Sequence, residues 1–286
     1  MKIIKSILIA FSLYSRLPVP VFKWEDDEYD HAITFLPLIG AVIAALIFML
    51  MRGCELFCPY ITDVWGRGAE SGSPLNFDAA TDLLLSLAVV ALMALIPILV
   101  TGGFHLDGYM DVSDARNSFA DKEKRLEIMK DPHIGAFAII SLVKLVLLYF
   151  ASLALLVCNW RVTGERKYLG VYALSFMIVR AVCAITCYAL PKAKPDGMLQ
   201  RETGGLKRSD ASVLVKELGM ALILSVFLDV WSTVTVIVGL LVFTFYYIRF
   251  TRADFGGVTG DTAGYFVVMG ETLSLALLAV CALAGI

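Results

Sequence analysis

Residues 135–158 read G-A-F-A-I-I-S-L-V-K-L-V-L-L-Y-F-A-S-L-A-L-L-V-C, an apolar run with a single charged residue, Lys144. A helix needs about 20 apolar residues to cross the hydrocarbon core of a bilayer, so this run is long enough to span a membrane. The whole chain has 286 residues, of which 59% are hydrophobic and 17% are charged. A soluble domain carries about 25% charged residues. The composition therefore indicates an integral membrane protein.

Apolar segments of this kind recur along the chain. We count seven of them, at about 33–51, 83–101, 135–158, 168–190, 212–228, 231–248 and 264–285. Their lengths and apolar character predict an all-α, polytopic integral membrane protein with about seven transmembrane helices. The fifth and sixth segments nearly meet at Asp229, which predicts a tight helical hairpin. No internal repeat or linker divides the chain, so we predict a single transmembrane domain over residues 1–286.

Two segments outside these runs have distinct compositions. Residues 2–17 place their polar side chains on one helical face, and prolines follow at once, so we predict an amphipathic helix lying on the membrane surface. Residues 52–82 are rich in glycine and serine and predict a flexible external loop. That loop would contain Cys54 and Cys58.

The distribution of basic residues predicts how the chain is oriented. With seven spans, segments 1–32, 102–134, 191–211 and 249–263 share one side of the membrane and hold 16 of the 24 Lys and Arg residues. The opposite side holds 5. Because cytoplasmic loops carry the excess of Lys and Arg, those four segments are predicted to be cytoplasmic. The net charge of −2 and the lack of a basic patch with interleaved aromatic residues give no indication of nucleic-acid binding.

The stretch T-G-G-F-H-L-D-G-Y-M-D-V-S-D at 101–114 is the start of the most charged part of the chain. Asp107, Asp111 and Asp114 are spaced i, i+4, i+7, so a helix would place all three carboxylates on one narrow face. Unpaired carboxylates so close together repel each other, which favours a bound cation. Mg²⁺ is the best candidate, because it takes carboxylate oxygens and shares its coordination shell with substrate phosphates. The alternative is a solvated acidic helix face.

Charged residues follow this triplet within one short segment. Arg125 and Lys130 could neutralise a diphosphate, and Glu127 and Asp131 lie one helical turn apart, where they could add metal ligands. The alternative is an ordinary helix with i, i+4 salt bridges.

Two further polar segments fall on the same predicted side. The stretch F-G-G-V-T-G-D-T-A-G at 255–264 surrounds Asp261 with glycines and threonines, and its backbone N–H groups could approach phosphate oxygens closely. It is no Walker A loop, since no G-K-[ST] follows. The loop 196–208 carries Arg201, Lys207 and Arg208, and it could close over an anionic substrate or be a plain linker.

Three ionisable residues, Lys144, Arg180 and Glu271, lie inside the predicted spans. Each costs on the order of 2.5–3.5 kcal/mol in a membrane, so such residues usually have a partner or a function. Two arrangements would stabilise these charges in the membrane. Lys144 or Arg180 could form an ion pair with Glu271, or the charged residues could contact a phosphate or a metal.

The motifs T-G-G-F-H-L-D-G-x-x-D-x-x-D, L-E-I-M-K-D-x-x-x-G and G-G-x-T-G-D-T-x-G, at 101–114, 126–135 and 256–264, resemble the signature of the cobalamin synthase family, adenosylcobinamide-GDP ribazoletransferase. R-L-P-V-P at 16–20 and F-L-P-L-I-G at 35–40 fit the same family. Ala115, Val258 and Ala263 depart from the pattern, whereas the acidic residues all match.

The resemblance implies an enzyme that joins adenosylcobinamide-GDP to α-ribazole, or to its 5′-phosphate, and releases GMP with Mg²⁺. It implies that the ribose 5′ oxygen, or a 5′-phosphate oxygen, attacks the phosphorus attached to cobinamide. Asp107, Asp111, Asp114 and Asp261 are then the catalytic residues and metal ligands, with Glu127 and Asp131 as further ligands. The substrate would contact Arg125, Lys130, Arg252, Gly256, Gly257, Thr259, Lys144 and Arg180.

The same resemblance implies a bacterial or archaeal cytoplasmic (inner) membrane, contact with membrane lipid, no nucleic acid and a possible homo-oligomer. Two alternatives remain. A CDP-alcohol phosphotransferase also spaces aspartates along a helix, but its pattern D-x-x-D-G-x-x-A-R matches only D-A-R at 114–116. A transporter would use the intramembrane charges as its pathway, although the chain lacks paired broken helices in two related halves.

Overall fold

The computed structural model describes residues 2–20, 22–24, 29–66, 77–193 and 197–285. These residues form α-helices joined by short turns, with one 3₁₀ helix at Ala32–Phe35 and one isolated β-bridge between Lys192 and Val258. The helices are α1 Lys2–Tyr14, α2 Leu36–Gly66, α3 Phe77–Thr101, α4 Phe104–Asn117, α5 Lys122–Ile128, α6 Ala136–Thr163, α7 Lys167–Ala189, α8 Met198–Gly204, α9 Arg208–Leu228, α10 Val230–Phe255 and α11 Gly260–Ala284. The prediction of an all-α chain is confirmed.

Seven of the helical segments are long and apolar enough to cross a membrane, which makes the chain a multi-pass membrane protein. They lie at Ala32–Phe57, Thr81–Thr101, Ala136–Thr163, Lys167–Ala189, Arg208–Leu228, Val230–Phe255 and Gly260–Ala284. The predicted number of spans is therefore confirmed. Most spans are longer than their apolar cores, because polar residues continue the helix beyond each core.

The predicted loop at 52–82 is wrong over most of its described length. Helix α2 continues through Cys54 and Cys58 to Gly66, and α3 begins at Phe77. A local ion pair between Arg52 and Glu55 (2.6 Å), one turn apart, supports the extension of α2. Glu55 also pairs with Arg166 at the start of α7 (2.6 Å). The middle of the predicted loop, residues 67–76, lies outside the described part of the chain.

Helix α7 is the centre of the bundle, since nearly all of its side chains are buried. It packs against α2, α9 and α11, and more weakly against α10. Gly40 allows α2 to approach α7 closely, because a Cβ atom at this position would collide with the backbone of Phe176 in α7. The spans at the outside of the bundle instead expose large apolar side chains, as expected where lipid surrounds a protein.

Helices α9 and α10 form the hairpin that the sequence predicts. Asp229 lies between them, and its carboxylate accepts a hydrogen bond from the backbone N–H of Ser232 (2.7 Å). This interaction caps the first turn of α10, where backbone N–H groups lack partners within the helix. Phe227 at the turn is 83% exposed.

The N-terminal helix α1 is short and apolar, as predicted, but it ends at Tyr14 rather than at residue 17. It buries Ile9 and Tyr14 and leaves Ile3 and Ile4 exposed. The chain then turns, and the backbone N–H of Arg16 donates to the Val100 carbonyl at the end of α3 (2.8 Å). The position of α1 on a membrane surface stays a prediction.

The segments that the charge count assigned to one side of the membrane meet at one end of the bundle. Tyr14 at the end of α1 bonds to Glu202 in α8, and Lys192 pairs with Val258 before α11. The turn between α3 and α4 lies beside Arg16. The compartment that this end faces stays a prediction.

Candidate active site

The three spaced aspartates lie on α4, which begins after a tight reversal of the chain. Gly102 and Gly103 follow α3 and have φ angles of 73° and 83°. A residue with a Cβ atom is strained in this left-handed region, so the two glycines allow α4 to fold back directly from the end of α3. The predicted helical spacing is confirmed: Asp107, Asp111 and Asp114 lie on one face of one helix.

Asp261 joins this face from the first turn of α11. Helices α4 and α11 are in close contact because glycines line their interface. A Cβ atom on Gly108 would lie 2.8 Å from the Asp261 carbonyl oxygen, and one on Gly264 would lie 3.1 Å from the His105 carbonyl oxygen. Gly108 lies between Asp107 and Asp111, so this contact brings the start of α11 against the acidic face of α4.

The four carboxyl groups influence one another electrostatically. Burial, and the negative charges of Asp107, Asp261 and Asp114, raise the pKa of Asp111 to about 6. Asp107 and Asp111 take part in no ion pair or hydrogen bond among the described residues. Asp107 and Asp111 therefore carry negative charge that no cation in the described part of the chain neutralises.

This donor set fits Mg²⁺, a hard cation that prefers carboxylate oxygens. Within the described parts of the chain, no three acidic, histidine or cysteine side chains already converge to hold a metal ion. Repulsion between like charges opposes such convergence, and a divalent cation would remove that repulsion.

Asp114 has an additional contact with α6. Its carboxylate accepts a hydrogen bond from the backbone N–H of Ala138 (3.3 Å), in the first turn of that helix. Gly135 packs against the same carboxylate so closely that any Cβ atom would collide with it. The N-terminus of a helix carries a partial positive charge, which stabilises a carboxylate in this position.

A cavity of about 250 Å³ lies beside the cluster. Asp107, Gly108 and Asp261 line it together with Tyr14 and Glu202. Glu202 is only 6% exposed, and burial raises its pKa. The sequence analysis missed Tyr14 and Glu202, because they are 188 positions apart and no spacing pattern connects them.

The family model described as CobS, cobalamin-5-phosphate synthase, matches residues 6–67 and 75–279. The chain belongs to the cobalamin-5-phosphate synthase family. It is therefore a transferase of cobalamin biosynthesis, as the sequence motifs implied.

Curated relatives in several bacteria carry the name adenosylcobinamide-GDP ribazoletransferase. The protein of Lachnoclostridium phytofermentans is 34% identical over 283 residues, which cover 96% of this chain and 93% of the relative. That of Pseudomonas aeruginosa PAO1 is 31% identical over 278 residues, covering 96% and 98%. That of Clostridium botulinum Alaska E43 is 28% identical over 271 residues, covering 95% of each. No solved structure matches the chain.

The segment that follows Asp114 is held by an ion-pair network. Asp254 at the end of α10 binds both Arg116 (2.9 Å) and Arg125. Arg116 also donates to the Tyr246 hydroxyl (2.9 Å) and lies over the Phe250 ring. Arg125, predicted to contact the diphosphate, is thus engaged in fastening α5 to α10. Its role in substrate binding stays a prediction.

The structure does not bring Glu127 and Asp131 into the aspartate cluster. Both are exposed, and they line a separate depression together with Lys130. Glu127 pairs with Lys124 (2.9 Å) and Asp131 with His133 (2.6 Å). The reason is local: α5 forms its own short helix, and each carboxylate has a side-chain partner within three residues. The alternative reading of this segment as a salt-bridged helix is the better description of its contacts.

The glycine-rich motif before α11 builds the turn that places Asp261. Gly256 ends α10 with a φ of 81°, and a Cβ atom on Gly257 would lie 2.5 Å from the Pro191 carbonyl oxygen. The Thr259 side chain accepts a hydrogen bond from the Thr262 N–H (3.1 Å) and caps α11. Arg252 is exposed on the last turn of α10. Phosphate contacts by these residues stay a prediction.

The intramembrane charges separate into two environments. Arg180, 1% exposed, forms a buried ion pair with Glu271, which is one of the arrangements that the sequence left open. Lys144 instead lies on the exposed face of α6 and takes no part in this pair. Arg180 and Glu271 line a second cavity of about 150 Å³, which His105 also lines. His105 thus lies between the two cavities, and burial lowers the pKa of its imidazole.

Proposed function

We propose that this chain transfers the cobinamide-phosphate moiety of adenosylcobinamide-GDP to α-ribazole, or to α-ribazole 5′-phosphate. The products are adenosylcobalamin, or its 5′-phosphate, and GMP. The observation that carries this proposal is the meeting of four aspartates from α4 and α11 beside a cavity at one end of the bundle. The relatives' names supply the two substrates.

The aspartates are suited to a reaction at a diphosphate. We assign Asp107, Asp111, Asp114 and Asp261 to one or two Mg²⁺ ions, which would neutralise the charge that develops on the phosphate oxygens. The chain itself contributes the positions of the four carboxylates. The α4–α11 contact at Gly108 fixes Asp261 against the other three.

We assign the attack to a different oxygen from the one that the resemblance implied. The family description, cobalamin-5-phosphate synthase, names a product that keeps a 5′-phosphate. The 5′ oxygen is then already esterified, and a secondary ribose hydroxyl is the nucleophile. Its oxygen bonds to the phosphorus that carries cobinamide and its proton is released to solvent, while the bond from that phosphorus to the bridging oxygen breaks and GMP leaves with the bridging oxygen.

We assign the site to the cytoplasmic face of a bacterial or archaeal inner membrane. Two observations support this: 16 of the 24 Lys and Arg residues fall on that side, and the motif-bearing segments gather at one end of the bundle. Both substrates carry charged or polar groups that would reach an aqueous face. The possible homo-oligomer stays a prediction.

The test is GMP release by purified protein in detergent or nanodiscs. Adenosylcobinamide-GDP and α-ribazole are supplied with Mg²⁺ or with EDTA, and GMP and the corrinoid product are measured together. We expect equal amounts of both products, only with Mg²⁺. Release of neither would overturn the proposal, and uptake of either substrate into sealed vesicles without chemistry would favour the transporter instead.

A further inference from the structure

One carboxylate in the lining of the cavity beside the aspartates has no role in the proposed attack on the diphosphate. Glu202 lies in α8, and its side chain is almost completely buried. Its carboxylate accepts a hydrogen bond from the Tyr14 hydroxyl (3.1 Å) and another from Tyr29. Together these residues join α1, the segment before the 3₁₀ helix and α8 around the cavity.

No cation pairs with Glu202 among the described residues. A buried charge is normally paired, because leaving water is costly for it. A carboxylate has about four acceptor positions, and the two tyrosine hydroxyls occupy two of them. Glu202 lines the cavity, so a ligand bound there can reach the remaining positions. A ligand that donates hydroxyl hydrogens would satisfy them.

We propose that Glu202 binds a ribose hydroxyl of the acceptor, α-ribazole, and so orients the neighbouring hydroxyl that attacks; this inference rests on the proposed function. A carboxylate that accepts a hydrogen bond from a ribose hydroxyl is the same recognition that dinucleotide-binding folds use. One of the two vicinal hydroxyls contacts Glu202, and the other approaches the phosphorus. Glu202 is a substrate-positioning residue, and the aspartates act on the diphosphate.

Geometry favours the acceptor ribose over the guanosine ribose of the donor. An attacking oxygen must come within about 3–3.5 Å of the phosphorus, so its ribose has to enter the cavity that contains Asp107 and Asp261. The guanosine ribose is separated from that phosphorus by the leaving phosphate and its own 5′ carbon. Glu202 shares the cavity with Asp107 and Asp261 and therefore meets the nearer ribose.

The test is the Glu202→Gln variant, which keeps the side-chain size and removes the charge. Because the variant loses a hydrogen bond to a charged group, we expect the KM for α-ribazole to rise on the order of 10-fold or more. The KM for adenosylcobinamide-GDP should stay close to the wild-type value. Glu123→Gln, on the exposed face of α5, removes the same charge outside the cavity and should change neither KM.

A modified acceptor separates a binding role from a structural one. For wild-type protein, the KM for an α-ribazole that lacks the non-attacking hydroxyl should exceed the KM for α-ribazole by the same factor. With this modified acceptor, Glu202→Gln should have the same KM as wild-type protein. Tyr14→Phe leaves the carboxylate in place and removes one donor, so a smaller rise in the same KM is expected. Equal losses with both acceptors in Glu202→Gln would overturn the inference.

The outcomes distinguish this inference from the proposed function. If wild-type protein releases GMP but Glu202→Gln keeps the normal KM for α-ribazole, only the assignment of Glu202 fails. A rise confined to the KM for adenosylcobinamide-GDP would place the guanosine ribose at Glu202 and overturn the acceptor assignment. If wild-type protein releases no GMP, the proposed function itself fails.

Discussion

Gly108 of α4 packs against the backbone of Asp261 in α11, where a Cβ atom would lie 2.8 Å from the Asp261 carbonyl oxygen. Nothing but hydrogen fits at this position without moving one helix. The contact lies between Asp107 and Asp111 in sequence, so it sets the distance between the acidic face of α4 and the carboxylate that α11 contributes. The separation of two helices thereby determines the geometry of the proposed metal site.

Replacing Gly108 by alanine is expected to displace Asp261 and reduce GMP release at least 10-fold at saturating substrate, which corresponds to about 1.4 kcal/mol of transition-state stabilisation. The measurement is kcat together with the Mg²⁺ concentration at half-maximal activity, which should rise. Gly219→Ala in α9 is the matched control. No atom lies within 4 Å of a Cβ at that position, and alanine favours a helix over glycine, so activity should be unchanged. Full activity of Gly108→Ala would show that the helix separation does not matter.

Asp111→Asn is expected to abolish turnover while the protein stays folded in the membrane. The negative charges of the other three aspartates repel that of Asp111. Asparagine at this position relieves the repulsion but also removes a proposed metal ligand. Thermal unfolding gives a readout independent of activity. Mg²⁺ should raise the Tm of wild-type protein, because a ligand that binds only the folded state stabilises it, and should raise that of the variant much less. An equal Mg²⁺ shift in both proteins would contradict the assignment.

Without divalent cations, the cluster should make stability depend on pH. The pKa of Asp111 rises from its usual 3.8 to about 6 through burial and the charges of Asp107, Asp261 and Asp114. A carboxyl with a higher pKa in the folded state binds protons more tightly when folded, so its ionisation destabilises the protein. This destabilisation is fully present above a pH of about 6 and is relieved as the pH falls towards the usual pKa.

The experiment compares unfolding of wild-type protein and Asp111→Asn in EDTA across that pH range. The wild-type protein should gain stability relative to the variant as the pH falls. Parallel curves for the two proteins would show that Asp111 is not in a repulsive cluster.

The parts of the site that the sequence predicted are those set by local geometry. The i, i+4, i+7 spacing of the aspartates on one helical face follows from helix geometry alone, and the structure has that helix. The role of Asp261 came from the family resemblance, since no local rule brings α11 to α4. Helix bounds were less predictable, because the Arg52–Glu55–Arg166 contacts that extend α2 depend partly on another helix.

The parts that the sequence did not predict depend on tertiary contacts. Arg125 looked free to bind a diphosphate, but Asp254, 129 positions away, binds it. Glu202 lies in the segment 196–208, in which only the Arg and Lys residues indicated a function. Its hydrogen-bond partner Tyr14 lies in the helix predicted to lie on the membrane surface. Charge and spacing identify which residues are able to act, whereas the packing of the helices decides which of them share one cavity.

The buried pair of Arg180 and Glu271 is expected to stabilise the fold rather than bind substrate. Glu271→Gln leaves Arg180 buried without a counter-charge, which costs about 3–5 kcal/mol in comparable buried pairs. The double variant Arg180→Met, Glu271→Leu removes both charges and should recover most of that stability. Unfolding in detergent measures both proteins. The double variant could instead be as unstable as the single one, or its KM for adenosylcobinamide-GDP could be raised. Either result would show that Arg180 and Glu271 have a role beyond neutralising each other's charge.

Cysteine labelling tests which side of the membrane the site faces. In a background without native cysteines, Glu123→Cys lies on α5, near the aspartates, and Glu165→Cys lies in the turn between α6 and α7 at the other end of the bundle; both positions are exposed. Because the positive-inside rule places the acidic stretch in the cytoplasm, a membrane-impermeant maleimide should label position 165 in intact cells and position 123 only after permeabilisation. The two positions act as controls for each other, since a leaky preparation would label both. Labelling of position 123 alone in intact cells would invert the orientation and move the proposed reaction to the outer face of the membrane.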